Sequence, residues 1–203
     1  MSINTIILLV IGVISFSAFS NSTIFYRLQL NSWEVIHRKQ YYRVVTHAFL
    51  HADWAHLLIN LFVLYSFGNA TTFYFNYYLG GFSDVRFLIF FLTAIPISSL
   101  YSVIKYRNNP NYSAVGASGA VSAVVFASIF FEPYSPILLF AIIPIPGIVF
   151  GAVYLGYSAY MSRKQVDNIG HDAHLWGAIY GLLFPVITRP ELINLFLKKL
   201  ISF

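Results

Sequence analysis

The sequence predicts an all-α membrane protein whose single domain, residues 1–203, holds six transmembrane helices. Three observations carry that prediction. Of the 203 residues, 58% are hydrophobic and only 9% charged, and the mean hydropathy is +0.70. Soluble domains usually carry about 25% charged residues, so there is too little polar surface here to coat a globule in water. Six apolar runs, near 3–21, 54–75, 86–104, 117–131, 136–160 and 172–188, approach the roughly 20 residues that cross a bilayer. These runs are continuous rather than alternating, which argues against a β-barrel. Helices satisfy their own backbone hydrogen bonds, which lipid cannot do for them.

Each element has its own signature. The N-terminal residues Met1-Ser2-Ile3-Asn4 lack the basic start of a signal peptide, so the first run, Ile3 to Phe19, reads as a retained span although Ala18-Phe19-Ser20 loosely resembles a cleavage site. The next thirty or so residues mix Arg27, Trp33, Glu34, Arg38, Lys39, Tyr41, Tyr42, Arg43 and Trp54. Aromatics interleaved with basic residues prefer the head-group layer, so this loop between the first two spans is expected in the interface. The fourth run, Ala117 to Phe131, is short: at ~1.5 Å per residue it covers roughly 22 Å of a core about 30 Å thick. With Glu132-Pro133 fixing its far end, its start at Ser118 is expected below the membrane surface. The polar stretch 108–113 then dips inward to line a wet hollow, where irregular backbone is tolerated.

Composition excludes several classes. Cysteine is absent, which removes disulfides, thiolate metal sites and a cysteine nucleophile. The net charge is +5, but the 12 Lys and Arg residues are scattered through the loops. Contact with anionic lipid head groups explains them more simply than nucleic acid does.

Chemistry concentrates at three places. Gly116-Ala117-Ser118-Gly119 opens the fourth run, and glycines there let backbone approach a substrate or a neighbouring helix closely. At the start of a helix, Ser118 would also offer free N–H groups and the positive end of the helix dipole to a developing oxyanion. A small-residue helix contact is the plainer reading of the same four residues. In the sixth run Ala173, Gly177 and Gly181 recur every four residues, matching Gly119, Ala123 and Ala127 on the fourth. If the two stripes meet, His174 comes within reach of Ser118, and an imidazole that takes the hydroxyl proton makes serine a nucleophile. Asp172 lies two positions from His174 and points elsewhere on a helix, so a dyad is expected instead of a triad. The second run begins with His47, His51 and His56, followed by Asn60. His56 and Asn60 share a helical face, and both donate hydrogen bonds as an oxyanion pocket requires. Zinc is the rival occupant of three clustered histidines, but the His-Glu-x-x-His signature is missing.

Taken in order, Tyr42-Arg43, His47, His51, His56 and Asn60, then Gly116-Ala117-Ser118-Gly119, then Ala173-His174 with Gly177 and Gly181 resemble the rhomboid family of intramembrane serine proteases. The resemblance implies a six-helix bundle with Ser118 as nucleophile and His174 as general base and acid. It implies an oxyanion hole of His56, Asn60 and the Ser118 amide, and a structural role for Arg43 in the first loop. It further implies cleavage of transmembrane helices of other membrane proteins near the membrane surface, with no cofactor or metal. An integral, multi-pass place in a cell membrane of bacterial type is expected, with the site opening to the outer side. That orientation leaves Arg86, Arg189, Lys198 and Lys199 inside and the other eight basic residues outside, against the positive-inside rule. Two departures stand out. The loop's usual tryptophan is Tyr42, and the tyrosine many relatives stack on the catalytic histidine, one turn after the nucleophile, is Ser122. Trp176 or Tyr180 is then expected to orient the imidazole. The rivals are a catalytically silent relative that binds membrane proteins and a small transporter or metal-binding protein built on His47, His51 and His56.

Overall fold

The computed structural model describes residues 1–139, 142–164 and 169–201. Short polar side chains start several of its helices. Ser2 accepts the Thr5 N–H to cap α1 (Ile3–Phe19), and Asn21 accepts that of Ile24 to cap α2 (Ser22–Leu28). Strand β1 (Leu30–Asn31) leads into α3 (Ser32–His37), whose cap is the Asn31 side chain. Then come α4 (Arg43–Thr46) and a 3-10 turn at His47–Phe49. Asp53 caps α5 (Trp54–Leu79) by accepting the His56 N–H at 2.7 Å. Such caps satisfy N–H groups that the first helical turn leaves without partners.

Next follow α6 (Ser83–Lys105), β2 (Ser113–Ala114), α7 (Ser118–Phe131), the hairpin β3 (Pro136–Leu139) and β4 (Ile143–Pro146), α8 (Gly147–Lys164), α9 (His171–Thr188) and α10 (Leu192–Ile201). The protein is thus mostly helical, and α1, α5, α6, α7, α8 and α9 fall on the six apolar runs. Among the described residues, α5 and α6 are long and apolar enough to cross a membrane by length and composition. The fifth run is corrected. Its first part is not helix but an antiparallel hairpin pairing Pro136 with Pro146 and Leu139 with Ile143. Pro136, Pro144 and Pro146 lack the N–H a helix interior needs, and residues 140–141 lie outside the described residues.

Helix α7 forms the axis of the bundle. Every residue from Gly119 to Phe131 is buried, as expected of a helix that is apolar on all sides and surrounded by protein. Its 14 residues span roughly 21 Å at ~1.5 Å per residue. Phe75, Phe87, Phe90, Phe91, Phe130 and Phe131 fill the space between α5, α6 and α7. On the other flank the two small-residue stripes meet. A Cβ on Gly177 would lie 2.0 Å from the Gly119 carbonyl oxygen, and one on Gly181 would lie 2.2 Å from that of Ala123. The backbones of α7 and α9 are therefore in direct contact, with no room for a methyl group.

Polar contacts fix the remaining parts. At one end of α1, Asn4 Nδ2 donates to Asn69 Oδ1 at 3.1 Å and to the Leu64 carbonyl at 3.3 Å. At the other, the Ser15 hydroxyl donates to the Phe49 carbonyl at 2.8 Å. The loop between α1 and α5 folds around Arg43, whose Nη1 donates to the Tyr26 and Gln29 carbonyls while Nε donates to Gln40 Oε1. Pairing of β1 with β2, Leu30 opposite Ala114, then ties this loop to the segment that leads into α7. At the end of the bundle opposite Ser118, Arg86 donates to the Gly80 and Gly81 carbonyls and Arg189 to that of Tyr78. There Lys199 also bonds Tyr78 OH and the Phe131 carbonyl and pairs with Glu132.

Two loop histidines are buried inside this scaffold. Burial holds His47 down to about 4, against the smaller opposing effect of the Arg43 and Val44 carbonyls. Burial, aided by the neighbouring His56, holds His51 down to about 3. An unfolded chain takes up these protons near pH 6.5 and the folded chain does not, so stability is complete above 6.5 and declines as the pH falls through about 4 toward about 3. Melting temperatures measured in detergent across that window are expected to fall, and to fall less steeply in His51→Asn. For the seam, Gly177→Ala and Gly181→Ala are each expected to cost about 1–3 kcal/mol through overpacking. Gly12→Ala, where a Cβ meets nothing within 4 Å, is the neutral control in the same melting experiment.

Candidate active site

Strand β2 and the residues 115–117 that follow it lead into α7 and are held from the side. The Gly116 N–H donates to the His47 carbonyl at 3.0 Å, and the Ala117 N–H approaches His51 Nε2 at 3.5 Å. His51 Nδ1 lies 2.9 Å from Ser15 Oγ. Because the Ser15 proton goes to Phe49, His51 must donate through Nδ1 and accept through Nε2, which is the neutral tautomer its burial also favours. Gly116 adopts φ +120°, a conformation that side chains rarely take. The chain turns there into α7, placing Ser118 in its first turn.

The α7–α9 seam then sets the central distance. Ser118 immediately precedes Gly119, and His174 lies one turn before Gly177 on the opposing helix. Closing the seam brings His174 Nε2 to 2.8 Å from Ser118 Oγ. Both side chains are half-buried, which leaves them shielded yet reachable. An imidazole at this distance can accept the hydroxyl proton and return it.

His56 faces the same space from α5. A Cβ added to Gly116 would fall 2.7 Å from His56 Cε1, 2.9 Å from its Nε2 and 3.8 Å from Ser118 Oγ. The missing side chain of Gly116 is therefore the room that the His56 ring and the Ser118 hydroxyl share. Asn60 lies one turn further along α5, buried, with Nδ2 donating to the His56 carbonyl at 2.8 Å. That bond uses one of its two amide protons. The first turn of α7 adds N–H groups without intrahelical acceptors.

Asp172 turns away from His174. Its carboxylate accepts from Lys105 Nζ at 2.9 and 3.2 Å and from the Tyr106 hydroxyl at 3.3 Å, which pins the start of α9 to the end of α6. His47 and His51 are occupied in the scaffold, His47 through Nδ1 to the Arg43 carbonyl at 3.0 Å.

The expected support for the imidazole is corrected. Trp176 packs on Tyr101 at 5.7 Å, and Tyr180 stacks on Phe90 and bonds Thr93; both point to α6. The ring lying over His174 is Tyr154 of α8, with centroids 6.1 Å apart and planes inclined by 29°. His171 approaches His174 edge-on at 5.9 Å. Tyr154 is one of 15 tyrosines in the sequence, and the signal that could have found it is its place on one face of α8 with Gly147, Gly151 and Ser158; His171 carries no comparable signal.

The rhomboid domain family matches residues 38–191. Over 143 residues the chain is 30% identical to RHOMBOID-like protein 12, mitochondrial, of Arabidopsis thaliana, covering 66% of this chain and 43% of that protein. Over 174 residues it is 26% identical to Rhomboid-related protein 1 of Caenorhabditis elegans, covering 82% of this chain and 45% of that one. The chain spans less than half the length of these curated relatives. With the rhomboid domain matched over most of its length, this mostly helical membrane protein belongs to the rhomboid family.

Proposed function

We propose that the chain is an intramembrane serine endopeptidase that cleaves transmembrane helices of other membrane proteins near the membrane surface. The observation that carries this reading is the 2.8 Å contact between Ser118 Oγ and His174 Nε2, from residues 56 positions apart. In the proposed arrangement all 203 residues form one domain, and α1, α5, α6, α7, α8 and α9 all cross the bilayer. The N-terminus then lies in the cytoplasm, and Ser118 opens to the outer side.

In the proposed mechanism, Ser118 Oγ attacks the scissile carbonyl carbon while its proton passes to His174 Nε2. The carbonyl oxygen becomes an oxyanion facing His56, the free amide proton of Asn60 and the Ser118 N–H, donors that act strongly where water is scarce. The C–N bond then breaks, and the leaving amine takes the proton from His174. Water entering from the loop side gives a proton to His174, attacks the acyl carbon and releases the new carboxyl terminus and the Ser118 hydroxyl. A substrate helix must unwind to present its carbonyl, so helix-breaking residues near the cut favour cleavage.

Cleavage of a model transmembrane substrate in micelles tests this. Ser118→Ala and His174→Ala are each expected to lose at least about 10³-fold in kcat, with the double variant no worse than either, because the pair acts as a unit. Wild-type activity is expected to survive a chelator. Activity that persists in Ser118→Ala would overturn the mechanism, and an inactive wild type would favour a silent binding role. Metal uptake dependent on His47, His51 and His56 would favour the transporter reading.

A further inference from the structure

We propose that Tyr154 is the positioning residue of the His174 imidazole, held in turn by Ser122. The assignment rests on the Ser118–His174 reading above. Ring pairs near 6.1 Å and 29° lie within the range of offset stacking. A stacked ring restricts the tilt of the imidazole and so keeps Nε2 aimed at Ser118.

The hydrogen bonds around Tyr154 give it a defined place. Its hydroxyl lies 2.6 Å from Ser122 Oγ, and the Ser122 hydroxyl donates to the Ser118 carbonyl at 2.8 Å. Ser122 has a single proton, and it goes to that carbonyl, so Tyr154 donates to Ser122. The contacts close a ring: Ser118 Oγ to His174, His174 to Tyr154, Tyr154 to Ser122, and Ser122 back to Ser118. Phe126 at 5.5 Å and Phe150 at 5.7 Å flank the Tyr154 ring. The nucleophile, the base and the ring that steadies the base therefore come from three helices, α7, α9 and α8. Position 122 on its own lacks the ring to do this, and α8 supplies it from outside the nucleophile's helix.

The test compares Tyr154→Leu, which keeps bulk without a π-face, and Tyr154→Phe, which keeps the ring without the hydroxyl. The readouts are kcat, KM and the pH profile of kcat/KM on a transmembrane peptide in micelles, and the rate of Ser118 labelling by a fluorophosphonate. Tyr154→Leu is expected to lower kcat and the labelling rate about tenfold with KM unchanged, and to move the pH limb of the base. Tyr154→Phe is expected to stay within about threefold of wild type. Placing the ring on the neighbouring backbone, by Ser122→Tyr in the Tyr154→Leu background, is expected to recover most of the lost rate. Wild-type kcat and pH limb in Tyr154→Leu would overturn the assignment. If Tyr154→Leu has a lowered melting temperature, Tyr154→Phe decides: a loss as large as that of Leu also overturns it. Failure of the underlying reading is distinct, because Ser118→Ala would then be labelled or would cleave whatever residue 154 is.

Discussion

Direct contact between the backbones of α7 and α9 is the constraint on which the rest depends. The Gly119 carbonyl occupies the place where a side chain at 177 would stand, and the Ala123 carbonyl does the same for 181. Lipid offers no hydrophobic drive to press two apolar helices together, so close approach through small residues is how they gain packing energy. Ser118 and His174 sit at one end of that seam. Their separation follows from how near the two backbones come, and the polar pair needs no long side chains to bridge a gap. The same closeness makes the arrangement intolerant: an added methyl group at 177 or 181 would meet a backbone carbonyl of α7, and parting the helices would part Ser118 from His174.

A second layer of structure delivers Ser118 to its end of the seam. The loop between α1 and α5 supplies β1 to pair with β2, the His47 carbonyl for the Gly116 N–H and the His51 ring for the Ala117 N–H. Irregular backbone at depth has few other partners, and each unsatisfied group there is costly. Arg43 serves this layer by gathering the Tyr26 and Gln29 carbonyls. Three histidines that resemble a metal site in sequence thus divide their work. Two hold the entry to α7, and His56 faces the space that Gly116 leaves open.

Much of this was legible in the sequence, for identifiable reasons. Continuous apolar runs coincide with α1, α5, α6, α7 and α9, with α5 and α6 long and apolar enough to cross a membrane among the described residues. The four-residue spacing of small residues foretold that α7 and α9 would meet. The run from 136 to 160 misled because apolarity does not separate strand from helix, although Pro136, Pro144 and Pro146 carried the warning. Trp176 and Tyr180 were poor choices to support His174. Two and six positions along a helix of 3.6 residues per turn point well away from residue 174, and both face α6. Small residues at 147, 151 and 158 set the buried face of α8, and Tyr154 falls on that face at helical spacing, but the sequence does not say which helix the face meets. Asp172 was placed correctly as pointing elsewhere, but its partners Lys105 and Tyr106 came from a helix whose pairing the sequence does not specify.

The most direct measurement is a structure of the protein after reaction with an organophosphonate, which mimics the tetrahedral intermediate on serine. Phosphorus is expected on Ser118 Oγ, with a phosphonyl oxygen within hydrogen-bond distance of His56, Asn60 and the Ser118 N–H. His174 is expected to stay against the adduct, with the α7–α9 seam closed. Phosphorus on another residue, or an oxygen turned away from His56 and Asn60, would contradict the proposed mechanism.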